Sequence, residues 1–281
     1  MSRYRCLDVK ILGAVVPSWD PTQYERFADH RTRPFVDLLA RVRTEAPRTV
    51  VDLGCGNGLA TLLLAQRWPQ ARIVGIDSSA AMLAQAAAHD TANRVEWVEA
   101  DVSQWNPRDQ RPDVIVTNAT LQWVPDHEPL IERWVSALPP GGAFAMQVPG
   151  NFTAHSHRII REAVADHPRA ADLSGLLRAD PVRDPAGYAG VIGRHTADVD
   201  AWETTYLQLL DPVGAQAHPV LEWVKGTALR PIIEALTPEE TESFLDDLAR
   251  RLDAAYPRRP YGVPFPFRRV FAVAHIPGDA R

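Results

Sequence analysis

A glycine-rich segment directly after a short apolar run constrains the fold of this chain more than any other feature. Thr49–Leu53 is apolar enough to form a buried strand, glycine occupies positions 54, 56 and 58, and a helical pattern, Leu59–Arg67, follows at once. Glycine permits a tight turn and lets the backbone approach a ligand closely. The segment therefore predicts a strand, a ligand-binding turn and a helix, which together form one unit of an α/β fold.

Strand and helix patterns continue to alternate after this turn as far as Val148. The further strand patterns are Arg72–Ile76, Val95–Glu99, Asp113–Thr117 and Ala143–Val148, and the helical patterns between them include Ala80–Ala88 and Pro129–Leu138. This alternation is typical of a doubly wound parallel sheet. Two late strand patterns, Val199–Leu209 and Arg268–His275, are expected to pair antiparallel at one edge. The sequence thus predicts a Rossmann-like α/β fold with seven strands: five parallel βα units plus an antiparallel edge pair.

The remaining helical patterns predict a cap on a single domain. We interpret residues 1–18 as an N-terminal extension and residues 19–281 as one domain, with helical insertions at about 151–195 and 210–260. Ligands of such folds bind outside the carboxyl ends of the strands, so the insertions are expected to cover that edge.

The composition narrows the classes of partner that we expect the chain to bind. The net charge of −5 gives no electrostatic case for nucleic acid, and the apolar runs are far shorter than the ~20 residues of a membrane span. The two cysteines, Cys6 and Cys55, form neither a disulfide framework nor a metal site. We expect a cytoplasmic monomer without a metal that acts on a small molecule and does not bind membranes.

Acidic residues at the strand ends indicate which ligand the turn binds. Asp52 precedes the first glycine, where a carboxylate would repel a pyrophosphate and attract an α-amino group. Asp77 ends the second strand and can accept both ribose hydroxyls, while Asp101 ends the third strand and can pair with an adenine amino group beside the Val102 backbone. These features favour S-adenosylmethionine (SAM). The alternative is a dehydrogenase turn in which Asp77 holds the ribose of NAD.

These segments resemble motif I and the following strand-end contacts of class I SAM-dependent methyltransferases. From Trp19 onward the sequence is also similar to the trans-aconitate 2-methyltransferase family. The segments that carry this resemblance include Trp19-Asp20-Pro21, Gly75-Ile76-Asp77-Ser78-Ser79, Leu121-Gln122-Trp123, Gln147-Val148-Pro149-Gly150-Asn151, Thr204-Thr205-Tyr206 and Leu229-Arg230-Pro231. Asn57 departs from the family, which often has proline there, and residues 168–187 match it poorly. The resemblance implies methyl transfer from SAM to a carboxylate of trans-aconitate, giving a monomethyl ester and S-adenosylhomocysteine.

The strand-end pattern and the resemblance together imply two sets of site residues. Predicted cofactor contacts are Tyr24, Arg33, Asp52, Gly54, Cys55, Gly56, Asn57, Gly58, Asp77, Ser78, Met82, Asp101, Val102, Asn118, Gln122 and Trp123. Predicted substrate contacts are Arg31, Gln147, Asn151, Tyr206, Trp223 and Arg230.

No catalytic residue is assigned, because a carboxylate with a pKa near ~4 is already ionised at neutral pH and needs no general base. Positioning of the reacting atoms then supplies the catalysis. For an acceptor that must lose a proton, His127, His155 or His157 could serve as the base.

A tricarboxylate needs cations, and arginine binds carboxylates through two parallel hydrogen bonds. The candidates are Arg31, Arg33, Arg158, Arg230, Arg268 and Arg269. Arg33 could instead hold the carboxylate of SAM. Arg230 is expected at the end of a helix, where its charge would also favour the helix dipole. One of Arg268 and Arg269 is expected to face solvent.

Two other functions remain open from the sequence. One is SAM-dependent methylation of a different small molecule, either another carboxylic acid or a quinone-type carbon acceptor. The other is a SAM-binding regulator without catalysis, since a binding motif shows that the ligand can bind and not that it is turned over.

Overall fold

Seven strands form one sheet in the computed structural model, which describes residues 32–177, 181–226 and 228–278. The strands are β1 (Thr49–Leu53), β2 (Arg72–Asp77), β3 (Val95–Glu99), β4 (Val114–Asn118), β5 (Ala143–Pro149), β6 (Val199–Leu210) and β7 (Val263–His275). Their order is β3-β2-β1-β4-β5-β7-β6, and β7 runs antiparallel to both β5 and β6. The predicted seven-stranded α/β fold with an antiparallel pair at one edge is confirmed.

The helices described by the structure flank this sheet or lie at its carboxyl edge. They are α1 (Thr32–Leu39), α2 (Leu59–Arg67), α3 (Ala80–His89), α4 (Pro107–Gln110), α5 (Glu128–Ser136), α6 (His155–Ala165), α7 (Ala170–Leu173), α8 (Pro185–Ile192), α9 (Pro219–Lys225), α10 (Arg230–Ala235) and α11 (Pro238–Ala255). Short 3-10 turns cover Leu121–Trp123 and Ser174–Leu176. Helices α1 and α2 pack on one face of the sheet, and α5 and α8 pack on the other.

Burial on both faces explains why the central strands read as continuous apolar runs. Val50, Val51 and Leu53 of β1 are fully buried, with Val50 in the core under α1 and α2 and Val51 in the core under α5. Parallel strands covered by helices on both sides are apolar at nearly every position. The strand order reverses between β1 and β4, and the crevice at such a reversal is where ligands of this fold bind.

The cap has a hydrophobic core of its own. Helices α6, α9, α10 and α11 contribute to it, and so does the first part of β7 through Phe265 and Phe267. Pro149, the last residue of β5, pairs with Arg269, so residues 263–268 of β7 extend past the sheet edge while still paired with β6. The β6–β7 ribbon therefore carries the cap beyond the carboxyl end of β5.

This ribbon is longer than the sequence predicts, since β7 begins at Val263 and was expected to begin at Arg268. Pro264 and Pro266 lie within the added length and pair with Leu209 and Leu207 of β6. Proline cannot donate a ladder hydrogen bond and argues against a strand in the sequence. Strand β7 tolerates the two prolines because this part of it extends past the end of β5 and pairs with β6 alone.

Helix α8 also differs from expectation. The first cap insertion was expected to extend to about residue 195, yet Val182, Tyr188 and Ile192 pack into the sheet core beside α5. Tyr188 is fully buried there, and its hydroxyl lies 2.9 Å from His127 Nε2. The packing thus assigns α8 to the helical layer on the sheet and α6 to the cap.

Candidate functional site

The glycine turn after β1 is fastened to the end of β2. The backbone N–H groups of Gly54 and Cys55 both donate to the carbonyl of Ile76, at 2.8 and 3.0 Å. Gly54 has a φ of +77°, and a Cβ at this position would lie 2.1 Å from Thr120 Oγ1. Only glycine fits this position, because both the backbone conformation and the contact with Thr120 exclude a side chain.

The other two glycines of the turn have different surroundings. Gly58 precedes α2 with a φ of +78°, and a Cβ there would lie 2.6 Å from Trp97 and 2.7 Å from Ala86. Gly56 has a φ of +55°, and no heavy atom of the residues that the structure describes lies within 4 Å of its hypothetical Cβ. The open space above Gly56 is therefore a cradle in which a ligand can approach the backbone.

Asp77 at the end of β2 is fixed by two backbone donors. Its Oδ2 accepts from Gly56 N and its Oδ1 accepts from Ser79 N, each at 2.9 Å. The Ser79 side chain in turn accepts from Met82 N and caps α3. Each carboxylate oxygen keeps lone-pair capacity for a further donor, which suits two neighbouring hydroxyls of a ribose. Ser78 and Met82 are exposed beside it.

Three further predicted cofactor residues lie in the glycine turn or directly after β3. Asp101 is exposed and accepts from Ser103 N at 2.8 Å, while Val102 is buried beside it. Asn57 is half-buried, and its carbonyl oxygen lies 3.0 Å from His89 Nδ1. The structure thus places the predicted cofactor residues of the glycine turn, β2 and β3 along neighbouring strand ends at one edge.

Asp52 is buried beneath the turn. Thr61 of α2 donates a 2.6 Å hydrogen bond to its Oδ2. Burial raises the pKa of the Asp52 carboxyl to about 7, the hydrogen bond from Thr61 lowers it, and the charge of Asp77 raises it. Burial and the same two carboxylates also raise the pKa of the Cys55 thiol. A cationic ligand above the turn would stabilise the ionised form of Asp52.

At the end of β4 the backbone turns sharply across the sheet. Ala119 has a φ of +56°, which is strained for a residue other than glycine, and its N–H donates to the Gln147 carbonyl at 2.9 Å. Gln122 then donates through Nε2 to the Ala119 carbonyl at 2.5 Å. This turn buries Gln122, leaves Asn118 half-buried and exposes 52% of Trp123 at the rim.

Buried amide groups form a second polar region beyond the end of β4. Gln147 and Asn151 are 1% and 4% exposed, and their Nε2 and Nδ2 atoms are buried with no acceptor among the described residues. Asn118 Oδ1 on the neighbouring strand likewise has no donor there. Asn151 Oδ1 accepts from Arg268 N at 2.7 Å, which fixes this amide. Since buried polar atoms in native proteins are nearly always hydrogen-bonded, these atoms mark a place for a ligand.

Two consecutive arginines at the same edge have opposite surroundings. Arg268 donates to Glu203 at 2.5 Å and to the Gly150 carbonyl at 3.2 Å. Arg269 is 6% exposed, and its guanidinium carbon lies 4.4 Å from the centre of the Phe267 ring. Both were sequence candidates for carboxylate binding and neither was among the predicted substrate contacts. Successive side chains of a strand point to opposite faces, and this explains why Arg268 and Arg269 of β7 have different surroundings.

Two predicted site residues, Arg33 and Tyr206, both contact Asp37. Tyr206 Oη donates to Asp37 Oδ2 at 2.7 Å, and Arg33 Nε lies 3.9 Å from the same oxygen. The Arg33 guanidinium carbon is 5.1 Å from the centre of the Tyr206 ring. Burial and the contact with Asp37 raise the pKa of the Tyr206 hydroxyl. The structure therefore brings a predicted cofactor residue and a predicted substrate residue into one cluster.

The last predicted substrate contacts lie farther into the cap or outside the described residues. Trp223 packs in the cap core, where the centre of its ring lies 5.6 Å from that of Phe267. Arg230 is exposed and pairs with Glu234 at 2.9 Å. It begins α10, so the expected favourable interaction with a helix C-terminus is wrong. Arg31 lies outside the described residues, as does Tyr24, which was predicted as a cofactor contact.

The three histidines considered as bases lie among aromatic residues. His127 stacks on Tyr188, and the rings of His155 and Tyr256 are 5.9 Å apart. Burial lowers the pKa of His157 to about 4. Within the described ranges, no group of His, Cys, Asp or Glu side chains could hold a metal ion. None of the helices in that part of the chain combines the length and apolar character needed to cross a membrane.

Comparison with known proteins identifies close relatives along nearly the whole chain. A family model described as a methyltransferase domain matches residues 50–142. The chain is 51% identical to the trans-aconitate 2-methyltransferase of Streptomyces avermitilis, over 94% of this chain and 99% of that protein. It is 48% identical to that of Rhodococcus jostii and 45% identical to that of Azoarcus sp., each over 92% of this chain and 99% of the relative.

Solved structures share the fold at low sequence identity. The YcgJ protein of Bacillus subtilis aligns with a TM-score of 0.55 and 11% identity, over 88% of this chain and 99% of that chain. The Haemonchus contortus phosphoethanolamine N-methyltransferase 2, in complex with S-adenosyl-L-methionine, aligns with a TM-score of 0.50 and 14% identity. This chain spans 53% of that one. These likenesses confirm the architecture.

Proposed function

This chain belongs to the trans-aconitate 2-methyltransferase family, and on that premise we propose that it transfers the methyl group of SAM to one carboxylate of trans-aconitate. The products are the monomethyl ester and S-adenosylhomocysteine. The observation that carries the proposal is the adjacency of two regions at the strand ends: a glycine cradle with a fixed carboxylate, and buried amide donors beyond β4.

SAM fits the first region by its chemistry. It has no phosphate, so Asp52 and Asp77 do not repel it, and its ammonium and sulfonium charges complement them. We propose that Asp77 accepts hydrogen bonds from the ribose hydroxyls and that Gly56 leaves room for the ligand. When bound, SAM supplies the electrophilic methyl group. The further proposed contacts are Arg33, Gly54, Cys55, Asn57, Gly58, Ser78, Met82, Asp101, Val102, Asn118, Gln122 and Trp123.

The second region suits a carboxylate-bearing acceptor. Gln147 and Asn151 offer N–H donors that need acceptors, and a carboxylate offers about four acceptor sites. Because the acceptor oxygen is already ionised at neutral pH, the residues of this chain need only hold it in line with the methyl group. Arg31, Tyr206, Trp223 and Arg230 stay predictions as substrate contacts, as do Tyr24 as a cofactor contact, the cytoplasmic location and the monomeric state.

The test is direct. Incubate the purified chain with SAM and a panel of mono-, di- and tricarboxylic acids, and quantify S-adenosylhomocysteine and the methylated product. We expect turnover with trans-aconitate and an alkali-labile product, which identifies an ester. Asp77→Ala, for which we expect much weaker SAM binding, serves as the negative control.

Each other outcome assigns a different function. Turnover of another acid but not of trans-aconitate would replace the substrate. An alkali-stable product from a quinone-type acceptor would replace the reaction. SAM binding without turnover of any acceptor would support a regulator.

A further inference from the structure

We infer that Thr120 is a positioning residue for methyl transfer. Its side chain holds the turn that follows β4 against the glycine turn that follows β1, and so fixes the distance between the methyl donor and the acceptor. The inference rests on the proposed function and adds to it a residue outside both sets of contacts predicted from the sequence. Thr120 is assigned no contact with either ligand and acts through the two turns.

The hydroxyl of Thr120 forms a hydrogen bond from one turn to the other. Its Oγ1 donates to the Gly54 carbonyl at 3.2 Å, and the Asn118 carbonyl of its own turn lies within reach at 3.3 Å. The pairing of β1 with β4 ends at Leu53 and Thr117, directly before the two turns. The Thr120 side chain therefore continues the contact between these neighbouring strands past the end of the sheet.

The same side chain fills the space beside Gly54. A Cβ on Gly54 would lie 2.1 Å from Thr120 Oγ1 and 2.3 Å from Thr120 Cγ2, so the two residues fit together only because position 54 is glycine. Both the hydroxyl and the methyl group of the threonine thus pack on the backbone of the glycine turn. This close fit leaves little freedom for one turn to move against the other.

Hydrogen bonds connect the ends of four neighbouring strands through this contact. On the cofactor side, Gly54 N donates to the Ile76 carbonyl of β2 at 2.8 Å. On the acceptor side, Ala119 N donates to the Gln147 carbonyl of β5 at 2.9 Å. The Thr120 hydroxyl lies between these two bonds, so it joins the turn proposed to hold SAM to the strand that carries the buried amide of Gln147.

Methyl transfer is sensitive to such a link, because the reacting atoms must be in line and about 3–3.5 Å apart. A displacement of about 1 Å can slow a reaction about 100-fold. Since each ligand is held by its own strand ends, a shift between the two turns would leave both sets of binding contacts in place while misaligning the acceptor oxygen and the methyl group. Loss of the Thr120 hydroxyl should therefore lower the rate of transfer more than the affinity for either ligand.

The experiment compares Thr120→Val and Thr120→Ser with the matched control Thr44→Val. Valine keeps the branched shape and removes the hydroxyl, whereas serine keeps the hydroxyl and removes the methyl group. Thr44 is also half-buried, and its Oγ1 donates to another glycine carbonyl, that of Gly141, at the same distance of 3.2 Å. This contact lies before β1 and β5, at the edge of the sheet opposite the site.

For Thr120→Val we expect the single-turnover rate with saturating SAM and trans-aconitate to fall about 10–100-fold. The Kd for SAM and the KM for the acid should change less than about threefold. Thr120→Ser should keep the rate within about threefold of the wild type, because the bond to Gly54 remains. Thr44→Val should lose as much thermal stability as Thr120→Val, since each loses one hydroxyl-to-carbonyl bond, and keep the wild-type rate.

Two features of the design separate positioning from a role in folding alone. A single turnover reports the transfer step even where product release limits kcat, and the stoichiometry of SAM binding corrects each rate for protein that is not folded. Should Thr120→Val fail to fold, Thr120→Ala replaces it, because alanine places no methyl group against the Gly54 carbonyl. A wild-type rate without the hydroxyl would overturn the inference, as would a serine variant as slow as the valine variant, or a loss of SAM affinity equal to the loss of rate.

The two proposals fail separately. If the wild type methylates a different acceptor, the substrate assignment fails and the rates are measured with that acceptor. If an acceptor is turned over and Thr120→Val behaves like Thr44→Val, only the positioning role fails. If the wild type turns over no acceptor, the proposed reaction fails and the positioning role is rejected with it.

Discussion

The carboxylate of Asp77 accepts a 2.9 Å hydrogen bond from the backbone N–H of Gly56, so the acid that ends β2 is tied to the turn that follows β1. Its other oxygen accepts from Ser79 N at the same distance. One side chain thereby fixes the cradle and keeps acceptor capacity for a ligand. A defect at Asp77 should therefore impair the shape of the site as well as one contact.

We predict that Asp77→Ala weakens SAM binding by about 100-fold or more, because two hydrogen bonds to a charged acceptor are lost together with the anchor of the turn. Asp77→Asn should be intermediate, since an amide offers only one acceptor oxygen to the two backbone donors. Equilibrium binding of SAM measures both, with the exposed Asp109→Ala as the control. Normal affinity in Asp77→Ala would rule out the ribose assignment.

A matched pair of glycines separates backbone strain from loss of ligand space. Gly56 and Gly141 both have positive φ, at +55° and +79°, and a Cβ at either would lie more than 4 Å from every atom of the described part of the chain. Each change to alanine should cost about 1–2 kcal/mol of stability from left-handed backbone strain. Only Gly56→Ala should weaken SAM binding, because only its Cβ enters the cradle. Thermal unfolding and SAM titration test this, and equal SAM affinity in the two variants would contradict it.

The buried carboxyl of Asp52 makes stability depend on pH. Its pKa of about 7 in the folded protein exceeds the ordinary 3.8, so its contribution is fully present below about pH 4 and is lost as the pH rises through 7. The loss amounts to at most ~4 kcal/mol. We expect Asp52→Asn to be more stable than the wild type at pH 8, with Thr61 still donating to the amide oxygen. Denaturant unfolding from pH 5 to 8 measures it; parallel pH profiles would refute the assignment.

The same carboxyl predicts proton release on cofactor binding. Near pH 6.5 Asp52 is largely protonated without ligand, and a bound cation favours its ionised form. Calorimetric SAM titrations in two buffers with different ionisation enthalpies should therefore give different apparent binding enthalpies. In Asp52→Asn this difference should disappear. If the wild type shows no dependence on the buffer, the cation of the ligand does not act on Asp52.

Removal of the Tyr206 hydroxyl tests whether this group stabilises the fold or binds the substrate. Because the hydroxyl donates to Asp37 at 2.7 Å, Tyr206→Phe should lower stability by about 0.5–1.5 kcal/mol. The KM for the acid should stay within about twofold, since the predicted contact of Tyr206 with the substrate is then made by its ring. The exposed Tyr261→Phe is the control and should change neither. A large rise in KM for Tyr206→Phe would show that the hydroxyl leaves Asp37 to bind the substrate.

Local patterns in the sequence were sufficient for most of the sheet and for the position of the glycine turn and Asp77 at the ends of their strands. Strands buried on both faces are mostly apolar, so β1 and β4 are visible as short runs, and the glycine turn and Asp77 stand at the ends of their strands. Each of these features depends on residues close together in the chain. The resemblance to the methyltransferase family rests on the same short segments.

Two features beyond β5 could not be placed from the sequence, because they depend on contacts between residues distant in the chain. The start of β7 was hidden because Pro264 and Pro266 argue against a strand, and only pairing with β6 reveals it. Helix α8 could not be placed on the sheet from its sequence, since its apolar residues would suit the cap equally.

The sequence by itself determined that this chain forms a doubly wound sheet with a SAM-type turn, because periodicity and glycine act within a few residues. The tertiary structure alone decided that Arg269 is buried while its neighbour Arg268 pairs with Glu203. Strand alternation puts adjacent side chains on opposite faces, and only the register between β5 and β7 tells which face meets the site.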